Sequence, residues 1–426
     1  MKHIGIIAEY NPFHNGHAYQ LQTVHARYPD KRILVMLSGD FVQRGEPAVF
    51  NKYLRTQWAL DAGADVVFEL PALFATSSAE YFATAAVRAL AATGVVDTLC
   101  FGAETEDLSA FLRIAGLLLE EPEAYKKQLK EKLKCGHSFP KARAMAVSTY
   151  FQDPACAALL RQPNNILGIE YIKAILKFDL AITPVPLKRQ GSGYHDLSIS
   201  QPLSSASALR RQLKKTHETQ PPDIASVPIP SCLAALMPET AYASLQNRQD
   251  AKPLFWSDFY PFLQYALWNP QHPLESYFDL SKELKGSLSA LSCYPPDIDT
   301  LIRQLSCKNY TAPRIRRALL HVLLGHTESE MEYFRQNSSV SYLRLLGFTS
   351  DSSFLLRDIK TYGHLSVINK VADCRTLLSS GDLTRFEKDI QGSTLYRQAF
   401  GNRYGILLPS EYERSVIIRK KEHTMK

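Results

Sequence analysis

Long apolar runs are missing from this chain of 426 residues. No stretch approaches the roughly 18 consecutive apolar residues that a membrane-spanning helix needs. Cysteine is sparse: the seven, Cys100, Cys135, Cys156, Cys232, Cys293, Cys307 and Cys374, are odd in number, scattered, and nowhere spaced as C-x-x-C. Zinc knuckles, thioredoxin-type redox chemistry and a disulfide scaffold therefore find no support, and reduced, mostly buried thiols are expected. Charge of one sign is also lacking, since the formal net charge is only +7. Neither half is a basic domain, and internal repeats and low-complexity tracts are absent. The first residues, MKHIGIIAEYNPFHNGH, hold a short apolar run that turns polar at once, without a small-residue cleavage pattern. They suit a first β-strand rather than a secretory signal. A soluble, cytoplasmic protein with no membrane contact and no obligate protein partner is the expectation.

What is present is the composition of a globular protein able to bury a sizeable core: 45% hydrophobic and 10% aromatic residues over a length that predicts two or three domains. In the first hundred residues, short apolar runs alternate with amphipathic ones. Strands are predicted at Ile4–Ala8, Ile33–Leu37, Val66–Leu70 and Thr98–Phe101, and helices at His17–Arg27, Lys52–Ala62 and Ser78–Ala92. The strand runs are continuous rather than alternating, as in parallel strands covered by helices on both faces. A doubly wound α/β sheet follows, with ligands beyond the carboxyl ends of its strands. Helices follow to about Lys177, then a last strand at Ala181–Pro186 and a helix at Ser207–Lys215. Residues 217–230 look like a linker. Domain boundaries at 1–218 and 219–426 are expected, the second domain being mainly helical.

The sharpest chemical signal follows the first strand, at Glu9-Tyr10-Asn11-Pro12-Phe13-His14-Asn15-Gly16-His17. Pro12 turns the chain out of the strand, and His17 opens the next helix. A helix N-terminus offers unpaired N–H groups and partial positive charge to a phosphate. Two imidazoles three residues apart add donors able to become cationic as charge builds at phosphorus. A second segment, Leu203-Ser204-Ser205-Ala206-Ser207-Ala208-Leu209-Arg210, offers hydroxyls and an arginine at a helix start. Ser-capping of a helix beside a surface arginine is the plainer alternative for it.

H-N-G-H resembles the H-x-G-H signature of nucleotidylyl transferases and class I aminoacyl-tRNA synthetases. The Ser204–Arg210 segment is similar to their later Ile-Ser-Ser-Thr-x-Ile-Arg signature, departing from it at Ala206 and Leu209. More narrowly, EYNPFHNGH, SGDFVQRGEPA, GADVVFELP, FGAE and PNNILGIEYIKA together resemble the tRNA(Met) cytidine acetate ligase family. YTAPRIRRALLHVLLG and SYLRLLGF extend the likeness less specifically. The resemblance implies a catalytic domain of the HUP-like Rossmann type with a helical C-terminal domain. It also implies ATP-dependent activation of acetate as acetyl-adenylate, and acetylation of the wobble cytidine of elongator tRNA(Met) to N4-acetylcytidine. Magnesium is expected with the triphosphate, without protein metal ligands.

Carried over by position, the catalytic residues are His14 and His17. The ATP-binding residues are Ile7, Ala8, Glu9, Tyr10, Asn11, Pro12, Phe13, His14, Asn15, Gly16, His17, Ala18, Tyr19 and Gln20, joined by Gly102, Asn164 or Asn165, Arg189 and Arg210. A helix cap at Asn164 or Asn165 and a simple turn at Gly102 are the alternatives. Polar residues after other strands, Ser38, Asp40, Gln43, Arg44, Glu69 and Glu104, are weaker candidates for an acetate or cytidine pocket; Glu9 is a candidate to orient Asn11 or a histidine. Basic clusters at Lys127, Lys130 and Lys134, and at Arg314, Arg316 and Arg317, are candidates for tRNA backbone, with a solvated helix face as the alternative. A helical region of about 200 residues exceeds what a small-molecule adenylyltransferase making a cofactor precursor needs. A non-catalytic RNA-binding or nucleotide-sensing module would not need the H-N-G-H histidines.

Overall fold

The structure, a computed structural model, describes residues 2–189, 205–219, 229–307, 310–337 and 340–420. The apolar runs form parallel strands β1 (His3–Ala8), β2 (Ile33–Ser38), β3 (Val66–Leu70), β4 (Val96–Ala103) and β5 (Thr183–Lys188). They lie in the order β3-β2-β1-β4-β5, with all four pairings parallel. The order reverses direction at β1, between β2 and β4. That reversal opens a crevice at the carboxyl ends of β1 and β4, where a doubly wound sheet binds its ligand.

Side chains alternate across this sheet. Leu34 and Met36 of β2 enter one core, whereas Ile33, Val35 and Leu37 enter the other. Helices α1 (Asn15–Arg27) and α2 (Lys52–Asp61) cover the second face, and α3 (Ala79–Ala92) and α4 (Leu108–Glu120) cover the first. Both faces are thus dry, which is why the strands lack polar alternation. Helices α5 (Glu123–Lys134), α6 (Phe139–Phe151) and α7 (Pro163–Lys177) continue the chain before β5, and α8 (Ala206–Glu218) follows it on the second face. Helix α8 runs into the stretch expected as a linker, and residues 220–228 of that stretch lie outside the described residues.

The C-terminal region has its own core. It is built on α9 (Trp256–Trp268), α10 (Ala312–Leu324) and α11 (Ser380–Tyr404), through Phe259, Leu263, Leu319 and Phe400. It is not wholly helical. Strand β6 (Tyr342–Thr349) lies antiparallel beside β3, with Val66 opposite Phe348 and Glu69 opposite Arg344. Strands β7 (Ser366–Ile368) and β8 (Ile417–Arg419) both pair with β6 in parallel, giving a mixed sheet of eight strands. A short apolar run such as YLRLLGFT has no periodicity to separate a buried strand from a buried helix, so pattern alone missed it. The expectation of mostly buried thiols also changes. Cys100, Cys156 and Cys374 are buried, but Cys135, Cys232, Cys293 and Cys307 are exposed, and all seven are free.

Candidate active site

A cavity of about 320 Å³ opens at the carboxyl ends of β1 and β4. Four helix starts, those of α1, α3, α7 and α8, contribute to its wall. Helix α1 begins at Asn15, two residues earlier than expected, because His14 caps it. The Gly16 N–H donates to His14 Nδ1 at 3.0 Å, and the His14 N–H donates to His17 Nδ1 at 3.3 Å. The two rings stack with centroids 3.8 Å apart. With each Nδ1 accepting, each ring proton resides on Nε2, so both histidines present an N–H donor. His14 Nε2 is buried without a hydrogen-bond partner among the described residues.

Both imidazoles are held toward the neutral form by their surroundings. Burial, then Arg189 and Arg210, pushes the His14 imidazole down to about 3. Burial, then His14 and Arg189, holds His17 well below its usual value. Both are neutral donors in this site, and its positive charge belongs to arginines. Arg44, Arg189 and Arg210 line the cavity against one lining carboxylate among the described residues, Glu9. Three guanidinium groups and two N–H donors around one crevice make a polyanion site.

Each arginine is placed by a different element. Arg189 follows β5, where its N–H donates to Ala103 O at 2.8 Å and its side chain lies over Gly102. Arg210 sits on α8 and donates to Asn11 O at 2.6 Å and Ser207 Oγ at 3.1 Å. Ser205 Oγ caps α8 by accepting from Ala208 N. The plainer reading of this segment, a capping serine, therefore holds at Ser205 while Arg210 faces the cavity; Leu203 and Ser204 lie outside the described residues.

Twelve of the expected ATP-site positions line the cavity: Ile7, Ala8, Glu9, Tyr10, Asn11, His14, His17, Gln20, Gly102, Asn164, Arg189 and Arg210. Pro12, Phe13, Asn15, Gly16, Ala18, Tyr19 and Asn165 do not. Phe13 is core, and Asn15 holds the start of α1 through Ala235 O and Leu236 O, each at 2.9 Å. The asparagine pair is resolved by geometry. Asn164 faces the cavity and donates to Glu104 Oε1 at 2.7 Å, whereas buried Asn165 accepts from Glu104 N at 2.9 Å. Glu104 is thus the post that orients both. Glu9 orients neither Asn11 nor a histidine; its Oε1 accepts from Gln43 N at 2.8 Å.

Sequence reasoning missed the apolar wall. Phe82, Phe101, Leu167 and Tyr171 line the cavity with Asn164. Asn164, Leu167 and Tyr171 stand at i, i+3 and i+7 of α7, a spacing visible in the sequence once that helix is known to flank the site. Helix α7 approaches closely because Gly168 rests on the Phe101 ring, where a Cβ would overlap it. Ser38, Asp40 and Glu69 do not line the cavity. Asp40 and Glu69 instead face the buried ammonium of Lys52.

The basic clusters divide. Lys127, Lys130 and Lys134 are exposed on α5. Arg316 pairs with Glu46 at 2.9 Å and Asp299 at 3.7 Å, Arg317 pairs with Asp279 at 3.4 Å, and Arg314 lies over the Tyr310 ring. Among the described residues, no helix is long and apolar enough to cross a membrane, and no group of three or more His, Cys, Asp or Glu side chains is placed to hold a metal ion.

Comparison with known proteins agrees with this geometry. The family model described as HIGH Nucleotidyl Transferase matches residues 1–405. The chain is 38% identical over 402 residues to the tRNA(Met) cytidine acetate ligase of Thermoanaerobacter sp. (strain X514), covering 94% of this chain and 96% of that one. It is 35% identical over 427 residues to the protein of that name from Acetivibrio thermocellus, covering 98% and 100%. The crystal structure of Thermotoga maritima TmcAL bound with alpha-thio ATP superposes with a TM-score of 0.85 at 28% identity, covering 99% of this chain and 100% of that one. The apo form gives 0.87 at 29% identity, with the same coverage.

Proposed function

The chain belongs to the HIGH nucleotidyl transferase family and, within it, to the tRNA(Met) cytidine acetate ligases; from that premise we propose that it joins acetate to the wobble cytidine of elongator tRNA(Met). It is an ATP-dependent ligase. The observation that carries the fuller reading is the pair of stacked, neutral histidines whose Nε2–H donors stand beside Arg189 and Arg210 at a helix N-terminus. Such a constellation stabilises charge developing at phosphorus without supplying a nucleophile.

In the first step an acetate oxygen attacks the α-phosphorus of ATP. The new O–P bond forms as the α–β bridging bond breaks, releasing pyrophosphate and leaving acetyl-adenylate. His14, His17 and the start of α1 donate to the phosphoryl oxygens. Arg189 and Arg210 hold the polyphosphate, while Asn164, Gly102 and the wall of Phe101, Leu167 and Tyr171 receive the nucleoside. ATP would enter as its magnesium complex; that ion usually keeps its waters and takes substrate phosphates as ligands, which suits a site with one lining carboxylate among the described residues.

In the second step the cytidine N4 attacks the acetyl carbonyl. The C–N bond forms, the bond to the adenylate oxygen breaks, AMP leaves and the amine gives up a proton. An anticodon-loop base is unstacked at little cost, and we assign the exposed lysines of α5 to the phosphates of the tRNA. Such a substrate places the reaction in the cytoplasm. The test is incubation with ATP, labelled acetate and bulk bacterial tRNA, followed by nucleoside mass spectrometry. Labelled N4-acetylcytidine that requires all three components is the expected result. Adenylyl transfer to a phosphate ester in its place would overturn the assignment.

A further inference from the structure

We propose that Arg44 binds the carboxylate of the acyl co-substrate, on a hairpin that the C-terminal helical region holds in place; this rests on the acetate-activating reading. The hairpin pairs Phe41–Val42 with Glu46–Pro47, and its turn carries Gln43 and Arg44 into the wall of the cavity. On the cavity side it is tied to the end of β1, where Glu9 accepts from Gln43 N.

Further holds on the hairpin come from the C-terminal region. Trp256 Nε1 of α9 donates to Gly45 O at 2.7 Å, and Arg316 of α10 donates to Glu46 Oε1 at 2.9 Å. Tyr396 of α11 donates to Ala48 O at 2.9 Å, and Phe41 packs edge-on against Phe259 and Tyr396. Gly45, at φ +72°, lies so close to the backbone of Arg316 and Arg317 that a side chain there would overlap it. The loop is therefore seated like a core element. An arginine delivered so deliberately to a cavity wall has a ligand to meet.

The ligand follows from the division of charge. Arg189 lies over Gly102 and Arg210 is bonded to Asn11 O in the turn that carries His14, so both stand beside the histidines assigned to phosphorus. Arg44 enters the wall from a different element, the hairpin tied to Glu9 through Gln43 N. A carboxylate must approach a triphosphate that repels it, and needs its own cation at the point of entry. The planar fork of a guanidinium matches both carboxylate oxygens.

Acetate-dependent exchange of labelled pyrophosphate into ATP, without tRNA, reads this step. Arg44→Gln is expected to raise the KM for acetate by about tenfold or more while the KM for ATP and for pyrophosphate stay within about twofold. Arg44→Lys is expected to fall between, retaining charge without the fork. The unchanged ATP constant certifies that each variant is folded. Arg316→Gln is expected to raise the acetate KM by a smaller factor with tRNA affinity unchanged, and Arg316→Lys to restore part of it. A rise in the ATP and pyrophosphate constants with acetate unaffected would overturn the proposal and assign Arg44 to polyphosphate. Loss of tRNA affinity alone in Arg316→Gln would overturn the positioning of the hairpin. Absence of acetate-dependent exchange in the unaltered chain would instead remove the acetate reading, and this proposal with it.

Discussion

Two charged clusters lie along the same carboxyl edge of one sheet, and they are built on opposite principles. At the ends of β1 and β4, Arg44, Arg189 and Arg210 face an open cavity with Glu9 as the one lining carboxylate among the described residues. At the end of β3, Lys52 is shut among acids. Its Nζ lies 2.9 Å from Glu69, 3.2 Å from Glu411 and 4.0 Å from Asp40, and donates to Ser393 Oγ at 2.8 Å. Arg344 pairs with Glu411 at 3.5 Å, and Tyr342 donates to Asp389. Among the described residues the open cluster has more cations than carboxylates, which suits an arriving polyanion. The closed one has surplus carboxylates and settles the excess with protons. Burial pushes Glu69 up to about 7 and Asp389 up to about 6, while Lys52, facing Glu411 and Glu69, is held well above its usual value.

The closed cluster is also a staple. Lys52 comes from α2, Glu69 from β3, Arg344 from β6 and Asp389 from α11, so residues far apart in sequence meet in one buried network. Removing one partner leaves an uncompensated buried charge, which costs more than the pair contributes.

The largest expected effect separates these roles. Lys52→Met removes the cation facing Glu69 and leaves Glu411 to Arg344, and should cost about 3–5 kcal/mol in urea unfolding; a loss under about 1 kcal/mol would show that the cluster carries no stability. His14→Ala should do the converse. Formation of acetyl-adenylate should fall by roughly a hundred- to a thousandfold, the usual loss for one oxyanion donor, with tRNA affinity nearly unchanged. An equal loss of both would sink the role given to His14.

The smallest effect is on pH. Glu69 has its folded pKa raised from 4.5 to about 7, so its contribution to stability is fully present below 4.5 and fades as pH rises through 7. His14 is lowered from 6.5 to about 3, so the unfolded chain takes up the proton first, and stability is lost as pH falls from 6.5 toward 3. Thermal unfolding should therefore show Glu69→Gln flattening the profile between about pH 4.5 and 7, and His14→Ala flattening its acid side. Parallel profiles for either variant and the unaltered chain would contradict the assignment.

Much of the open site was legible because its signals are local. A strand, a proline exit and two histidines at a helix start lie within 17 residues, and backbone geometry alone turns them toward one crevice. Gly102, Arg189 and Arg210 were legible through motif likeness, and each lines the cavity. The choice between Asn164 and Asn165 was not, because adjacent residues on a helix point about 100° apart and only the position of Glu104 decides which faces inward. Arg316 was a candidate for tRNA backbone with a solvated face as the alternative, and its role in holding the hairpin was not legible, since a basic cluster on an amphipathic helix carries no mark of the Glu46 waiting 270 positions away.

By itself, then, the sequence determined the parallel strands, the capped helix that follows the first of them, and the presence of an anion-binding edge. These depend on hydrophobic periodicity and on donors left unpaired at a helix start, both properties of a short stretch of chain. Tertiary structure alone decided that β6 and β8 extend the catalytic sheet, that Lys52 meets three acids in the dark, and that Trp256, Arg316 and Tyr396 seat the hairpin carrying Arg44. These contacts join residues hundreds of positions apart, and their energies depend on how completely water is excluded between them, which no local pattern records.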